Sequence, residues 1–119
     1  MLFRSVESQF SRVLSFQLAE PGKIEAHEVF LELPKLPKDG YQLAGLCLDA
    51  DGNLYVTQQQ AKAVLIFDPQ GRSIGKLSTG EVVPSGAALR SPDADELFLT
   101  GGLEDRARLG KVIRLNLGK

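Results

Sequence analysis

Leu46, Leu48, Leu54 and Val56 fall at every second position on either side of Asp51-Gly52-Asn53. That is the period of two half-buried strands joined by a tight reversal. Aspartate and asparagine side chains bond the nearby backbone, and glycine supplies positive φ, so the turn chemistry agrees with the flanking pattern. The pattern predicts strands over 44–49, 54–58, 63–67 and 73–78, the last two joined through Asp68-Pro69-Gln70-Gly71-Arg72. Connections this short make an antiparallel meander. Upstream, strands are predicted over 2–5, 12–18 and 26–33, the second and third separated by a turn at Glu20-Pro21-Gly22-Lys23 and the third stopped by Pro34 and Pro37. In the third, Val29, Leu31 and Leu33 alternate with Glu28, Phe30 and Glu32, which predicts one wet face. Downstream, strands are predicted over 85–89, 96–100 and 111–117, with a solvated loop from Gly101 to Gly110 that holds at most one helical turn.

The strand sets repeat. Leu2-Phe3-Arg4-Ser5, Leu54-Tyr55-Val56-Thr57 and Leu97-Phe98-Leu99-Thr100 correspond, as do Val13-Leu14-Ser15-Phe16, Val64-Leu65-Ile66-Phe67 and Val112-Ile113-Arg114-Leu115. A period of about 40 to 50 residues with four strands in each unit is the mark of a β-propeller. The expected fold class is therefore all-β, with propeller-type antiparallel four-stranded blades, about two and a half per chain. With strands named A to D from the channel outward, residues 1–119 read as one partial propeller domain. It holds a partial blade B-C-D over 1–34, a complete blade over 44–78 and a partial blade A-B-C over 84–117.

Composition narrows the function classes. At 119 residues and 43% hydrophobic, the chain can bury a core without disulfides. Fourteen basic and 15 acidic residues leave a net charge of -1, too little field to gather nucleic acid or anionic lipid. The single cysteine, Cys47, lies in an apolar alternating run and reads as a small core side chain. No run of 18 apolar residues occurs, and the apolar start is short for a leader, so no membrane span and a cytoplasmic location are expected. His27, the only histidine, has no histidine or cysteine at ligand spacing and reads as a surface residue. No serine stands in a Gly-x-Ser-x-Gly elbow, and Gly101-Gly102 lacks the lysine and serine of a phosphate loop.

The segment Gly45-Leu46-Cys47-Leu48-Asp49-Ala50-Asp51-Gly52-Asn53-Leu54-Tyr55-Val56-Thr57, with Ala63 to Arg72 after it, resembles the senescence-marker-protein/gluconolactonase (SGL-type) family. Pro84-Ser85-Gly86-Ala87-Ala88-Leu89, Ser91-Pro92-Asp93 and Leu97-Phe98-Leu99-Thr100 look like that family's next blade. The likeness covers nearly the whole chain, as the later part of a six-bladed protein. It implies a lactone or ester hydrolase built on a divalent metal, calcium or zinc, held by carboxylates and an asparagine. One family ligand is the aspartate of a Pro-Asp-Gly triplet, and the matching residues here are Leu43-Ala44-Gly45. Alanine has no oxygen to offer.

The sequence therefore favours a non-catalytic or degenerate propeller module that binds a small polar molecule or serves in assembly, with no cofactor. The alternative is a divalent-metal-dependent lactone/ester hydrolase at the channel mouth, so the sequence supports both a non-catalytic and an enzymatic reading. Position nominates Asp39, Tyr41, Gln42 and Ser85, which flank the inner strands, together with Gln58 and Gln59, where the second strand leaves the blade. Asp39-Gly40 is also the nearest substitute for the missing carboxylate, although a turn explains it. A homodimer closing one six-bladed ring is expected, with Val13, Phe16, Val112 and Ile113 in or beside the contact.

Overall fold

The computed structural model describes residues 2–7, 12–20, 23–32, 43–59, 61–89, 91, 95–103 and 106–117. Among these the chain forms ten strands and no helix: β1 (Leu2–Glu7), β2 (Arg12–Glu20), β3 (Lys23–Glu32), β4 (Leu43–Leu48), β5 (Leu54–Gln58), β6 (Ala63–Phe67), β7 (Ser73–Ser78), β8 (Val82–Leu89), β9 (Glu96–Leu103) and β10 (Arg106–Asn116). They make three antiparallel meanders, β1-β2-β3, β4-β5-β6-β7 and β8-β9-β10. The sheets adjoin through their inner strands, β4 lying beside both β1 and β8.

The second sheet is the most regular because two identical turn devices pin its register. Asp49 N–H bonds Asn53 O at 3.0 Å and Gly52 N–H bonds Asp49 O at 3.1 Å, while Asp49 Oδ1 accepts from the N–H groups of Asp51 and Asn53. The β6–β7 turn copies this: Asp68 N–H bonds Arg72 O at 2.8 Å, Gly71 N–H bonds Asp68 O at 2.9 Å, and Asp68 Oδ1 accepts from Gln70 and Arg72. Gly52 and Gly71 stand at φ 83° and 85°, where a side chain would strain the backbone. The spacing Asp-x-x-Gly-x is thus the sequence code for both reversals.

Strand alternation gives the second sheet two apolar faces. Leu43, Leu54, Val56 and Phe67 pack with Val13 and Phe30 of the first sheet. Tyr55 and Val64, with Cys47 and Ile66 beside them, pack on Leu97 and Leu99 of the third, joined by Ala87, Ile113 and Leu115. Cys47 is accordingly a half-buried packing residue, as its sequence setting implied.

Four expectations are corrected. Gly101 to Gly110 is not a loop: β9 runs on through Gly101-Gly102-Leu103 and β10 starts at Arg106. Val82, Val83 and Pro84 of β8 pair with Leu103, Gly102 and Gly101, so a neighbouring strand holds extended a stretch that lacks apolar alternation. The third strand does not alternate cleanly either. A bulge opposite Val13 and Leu14 shifts its phase, leaving Val29 46% exposed and placing Phe30 against the core. The repeat in the first sheet is displaced by one. Arg4 pairs with Ser15 and Phe3 with Phe16, whereas Tyr55 pairs with Ile66 and Leu54 with Phe67, so Phe3, not Leu2, takes the place of Leu54. Finally, Val13 and Ile113 face the interior between sheets, so of the four residues expected at a dimer contact Val112 is the exposed one, at 71%. The side chain of Phe16 lies outside the description.

Candidate functional site

The inner strands meet through backbone. A Cβ on Gly45 would stand 2.9 Å from Gly86 Cα and 3.1 Å from Ser85 O, so β4 and β8 approach here as only glycine allows. Just before each glycine the ladder breaks. In β4 the register jumps between Leu43↔Gln58 and Leu46↔Val56; in β8 it jumps between Pro84↔Gly101 and Gly86↔Thr100. The two irregularities coincide when the sheets are aligned by register, which puts Ala44 and Ser85 in the same place in successive sheets. That equivalence was legible in Leu43-Ala44-Gly45 and Pro84-Ser85-Gly86, yet only the ladder establishes it.

Hydroxyls hold the irregular backbone. The fully buried Thr57 Oγ1 accepts from Gly45 N at 2.7 Å and lies 3.3 Å from Gly45 O, to which its hydroxyl donates. In the third sheet the exposed Ser85 Oγ donates to Thr100 O at 3.2 Å, and the Thr100 Oγ1 lies 2.8 Å from where a Cβ on Gly86 would stand. Ala44 is half-buried and apolar, so of the two equivalent places Ser85 offers a neutral hydroxyl and Ala44 none.

Gln58, nominated where the second strand leaves the blade, lies opposite Leu43 in the ladder. The structure buries it, with 1% of its surface exposed, and its Nε2 has no hydrogen-bond partner among the described residues. Gln59 is half-buried, and its carbonyl accepts from Lys62 N at 3.1 Å to close the β5–β6 turn. Asp39, Tyr41 and Gln42 lie outside the described residues. Of the six nominated residues, Gln58, Gln59 and Ser85 are therefore placed, and the irregular β4 start adjoins both β8 and the end of β5.

A residue not singled out from sequence is Arg4. Its Nη1 donates to the buried Ser15 Oγ at 2.6 Å and its guanidinium lies 4.2 Å over the Phe30 ring, while its Nε has no partner among the described residues. No signal in Leu2-Phe3-Arg4-Ser5 marks it, because its setting depends on the shifted register.

The implied metal does not fit these residues. Ala44 brings no oxygen, Asp49 and Asp68 spend theirs on the turns, and among the described residues no three His, Cys, Asp or Glu side chains are grouped to hold an ion.

None of the curated proteins matches the chain. Among solved structures it is similar to a luciferin-regenerating enzyme, with a TM-score of 0.73 and 20% identity, over 97% of this chain and 41% of that one. It is also similar to a calcium-binding protein, regucalcin, from Agrobacterium tumefaciens strain C58, with a TM-score of 0.70 and 23% identity, over 82% of this chain and 32% of that one. The chain thus spans less than half the length of either neighbour, and the likeness carries the propeller fold. The family model described as the SMP-30/gluconolactonase/LRE-like region matches residues 2–102, and the chain belongs to that family.

Proposed function

We propose that this chain is a non-catalytic member of its family that binds a small polar molecule where β4 begins and β5 ends. The observation that carries the reading is the Gln58 amide, buried with an unpartnered Nε2 beside the irregular start of β4. A buried donor left unmade costs about 1–3 kcal/mol, and such a group calls for an acceptor from beyond the described residues, which a bound polar molecule would supply. The ligand class is a neutral or acidic molecule with carbonyl, hydroxyl or carboxylate oxygens. Ala44 and Ser85 support neutral recognition over metal chemistry, and a lone Cys47 that can form no internal disulfide fits a cytoplasmic setting.

Thermal shifts against a panel of sugar acids and lactones, each with and without calcium or zinc, test the reading. A panel member should raise the melting temperature of the wild type without metal. In Gln58→Met that shift should vanish while the fold persists. The second reading, a divalent-metal-dependent lactone/ester hydrolase, draws on family membership alone. Lactone turnover that requires added calcium or zinc would establish it and overturn the proposal, as would the absence of any metal-free shift.

A further inference from the structure

We infer that Arg4 anchors an oxyanion site in the layer between the first and second sheets, taking the two-oxygen edge of a carboxylate or phosphate group. The inference is independent of the ligand reading at Gln58. Val13 packs against the second sheet, and Ser15, two residues on in β2, shares its face. Arg4 is opposite Ser15 in the ladder and so shares that face too. Its side chain reaches from β1 across β2, with Nη1 on the Ser15 hydroxyl at 2.6 Å and the guanidinium carbon 4.2 Å from the centre of the Phe30 ring of β3. Phe30 is in turn backed by the β6–β7 turn of the second sheet, where a Cβ on Gly71 would stand 3.5 Å from Phe30 O and 4.0 Å from Phe30 Cζ. The charge thus lies between two of the chain's own sheets. Both the inner edge of β1 and the outward face of the first sheet are turned away from it, so further polypeptide at either would not cover it.

Charge is the first argument for an anion. Among the described residues Arg4 enters none of the ion pairs, which join Lys23 to Glu20, Arg72 to Asp68, Lys111 to Glu81 and Arg114 to Glu96. Glu28, the acid opposite Ser15 in the ladder, is exposed and makes no ion pair with it. A half-buried cation without a counter-charge is costly, and a neutral hydroxyl with an aromatic face offsets only part of that cost.

Geometry is the second argument, because the donors left over are the ones that match an oxyanion. A guanidinium presents Nε–H and one Nη2–H side by side as a fork, and Ser15 takes Nη1 instead. Nε is shut off from water and bonds nothing among the described residues. Two parallel charge-assisted hydrogen bonds to a carboxylate or phosphate edge would satisfy that donor and balance the charge together. The Phe30 ring lies against the face of the guanidinium and fixes its plane, which leaves the edge for the anion. Arg4 keeps part of its surface in water, and that is the way in.

Side-chain proton–nitrogen correlation spectra read the fork directly. The Arg4 Nε–H signal is recognised in the wild type by the ring-current shift from Phe30, and its loss in Arg4→Lys confirms the assignment. Inorganic phosphate and acetate are titrated in turn against sodium chloride at constant ionic strength. At least one of them should move the Arg4 Nε–H signal saturably. Saturation with acetate alone assigns the site to a carboxylate, and saturation with phosphate alone to a phosphate group. Arg4→Lys, which keeps the charge but lacks the fork, should bind that anion at least about tenfold more weakly. Phosphate stabilises folded proteins in general by exclusion, so melting temperatures are compared between variants. The anion that saturates the signal should raise the wild-type value above that in chloride by more than it raises the value for Arg4→Met. Should the variants not fold, the wild-type titration decides alone. An Arg4 Nε–H signal that stays in place or drifts without saturating overturns the inference, as does an equal rise in Arg4→Met. A signal that Glu28→Gln displaces in chloride alone would show a pair within the chain and overturn it as well.

Discussion

Gly45→Ala tests how the sheets are joined. The residue is at an ordinary backbone angle, so alanine brings no φ strain, and its only effect in the folded chain is the added methyl. That methyl would meet Gly86 Cα at 2.9 Å, Ser85 O at 3.1 Å and Ala87 N at 3.3 Å. All three are backbone atoms of β8, so no side chain can turn aside. β8 must retreat by about half an ångström, and β8 is locked to β9 by its ladder. Overpacking of this kind costs about 1–3 kcal/mol, while replacing glycine by alanine returns about 0.4–1 kcal/mol by restricting the unfolded chain. The net expectation is a loss of about 1–2 kcal/mol, read at fixed protein concentration from urea melts followed by circular dichroism.

Gly80→Ala is the control that separates space from backbone strain. Gly80 lies at φ 69° with nothing within 4 Å of an added Cβ, so its cost is conformational, about 1 kcal/mol, and leaves the sheets undisturbed. If Gly45→Ala were as stable as the wild type, β4 and β8 would not be in backbone contact and the joined-sheet geometry would be refuted.

Further outcomes follow from the turns and the buried amide. Asp49→Ala frees the N–H groups of Asp51 and Asn53 and the Tyr55 hydroxyl, 3.1 Å from Oδ2, and should lower stability by about 2–4 kcal/mol in urea melts, with Asp49→Asn costing less. The Asp68 carboxyl is held below its ordinary 3.8 by the Arg72 backbone N–H, with the Arg72 guanidinium and the Gln70 N–H adding to it against the opposing effect of desolvation. A lowered carboxyl pKa stabilises the fold above the unfolded value and loses that contribution as pH falls through the folded value. Asp68→Asn should therefore flatten the stability loss between neutral and acid pH, as denaturation midpoints along that range will record. Gln58→Met removes an unpartnered amide while keeping volume, so the ligand-free protein should gain about 1 kcal/mol; a comparable loss would mean that the amide is satisfied in solution.

The strands β5, β6 and β7 were legible to the residue because local signals agreed: period-two apolar runs between two Asp-x-x-Gly-x reversals. Where the extended state is imposed by a partner strand, the sequence was silent. Gly101 looked like the mouth of a loop, yet its missing side chain answers the Val83 carbonyl, which a Cβ there would overlap. The first-sheet repeat failed for a different reason. Leu2-Phe3-Arg4-Ser5 matches the later strands in composition, but a slip of one residue exchanges the two faces of a strand. With Phe3 set on Leu54 the separation is 51 residues, the same as from Val13 to Val64, so the ladder restores one spacing to both strands of the hairpin. For the candidate site, Ser85 was nominated from its place at the start of an inner strand, and the ladder puts it inside β8 instead, at the register jump after Pro84. The burial of Gln58 was hidden because a row of three glutamines fits ligand contact and a solvated loop alike, and only the pairing with Leu43 turns the first of them inward.

The irregular starts of β4 and β8 divide structural from chemical work. Gly45 and Gly86 are fixed by the close approach of two backbones, and Thr57 and Thr100 by the gaps those glycines leave, so packing specifies all four. Ala44 and Ser85, one residue earlier, stand where the register jumps and are constrained far less by packing. A side chain at this place can change without disturbing the ladder, and it sets what the end of each sheet offers to a visitor. An aspartate there would bring a charge and a hard oxygen for a cation. The methyl of Ala44 brings neither, and the Ser85 hydroxyl is turned back onto its own sheet at Thr100 O. Charge being absent from both places, the polar group that the described residues leave unspent at the start of β4 is the Gln58 amide across the ladder, and on the proposed reading it suits an oxygen acceptor better than a cation.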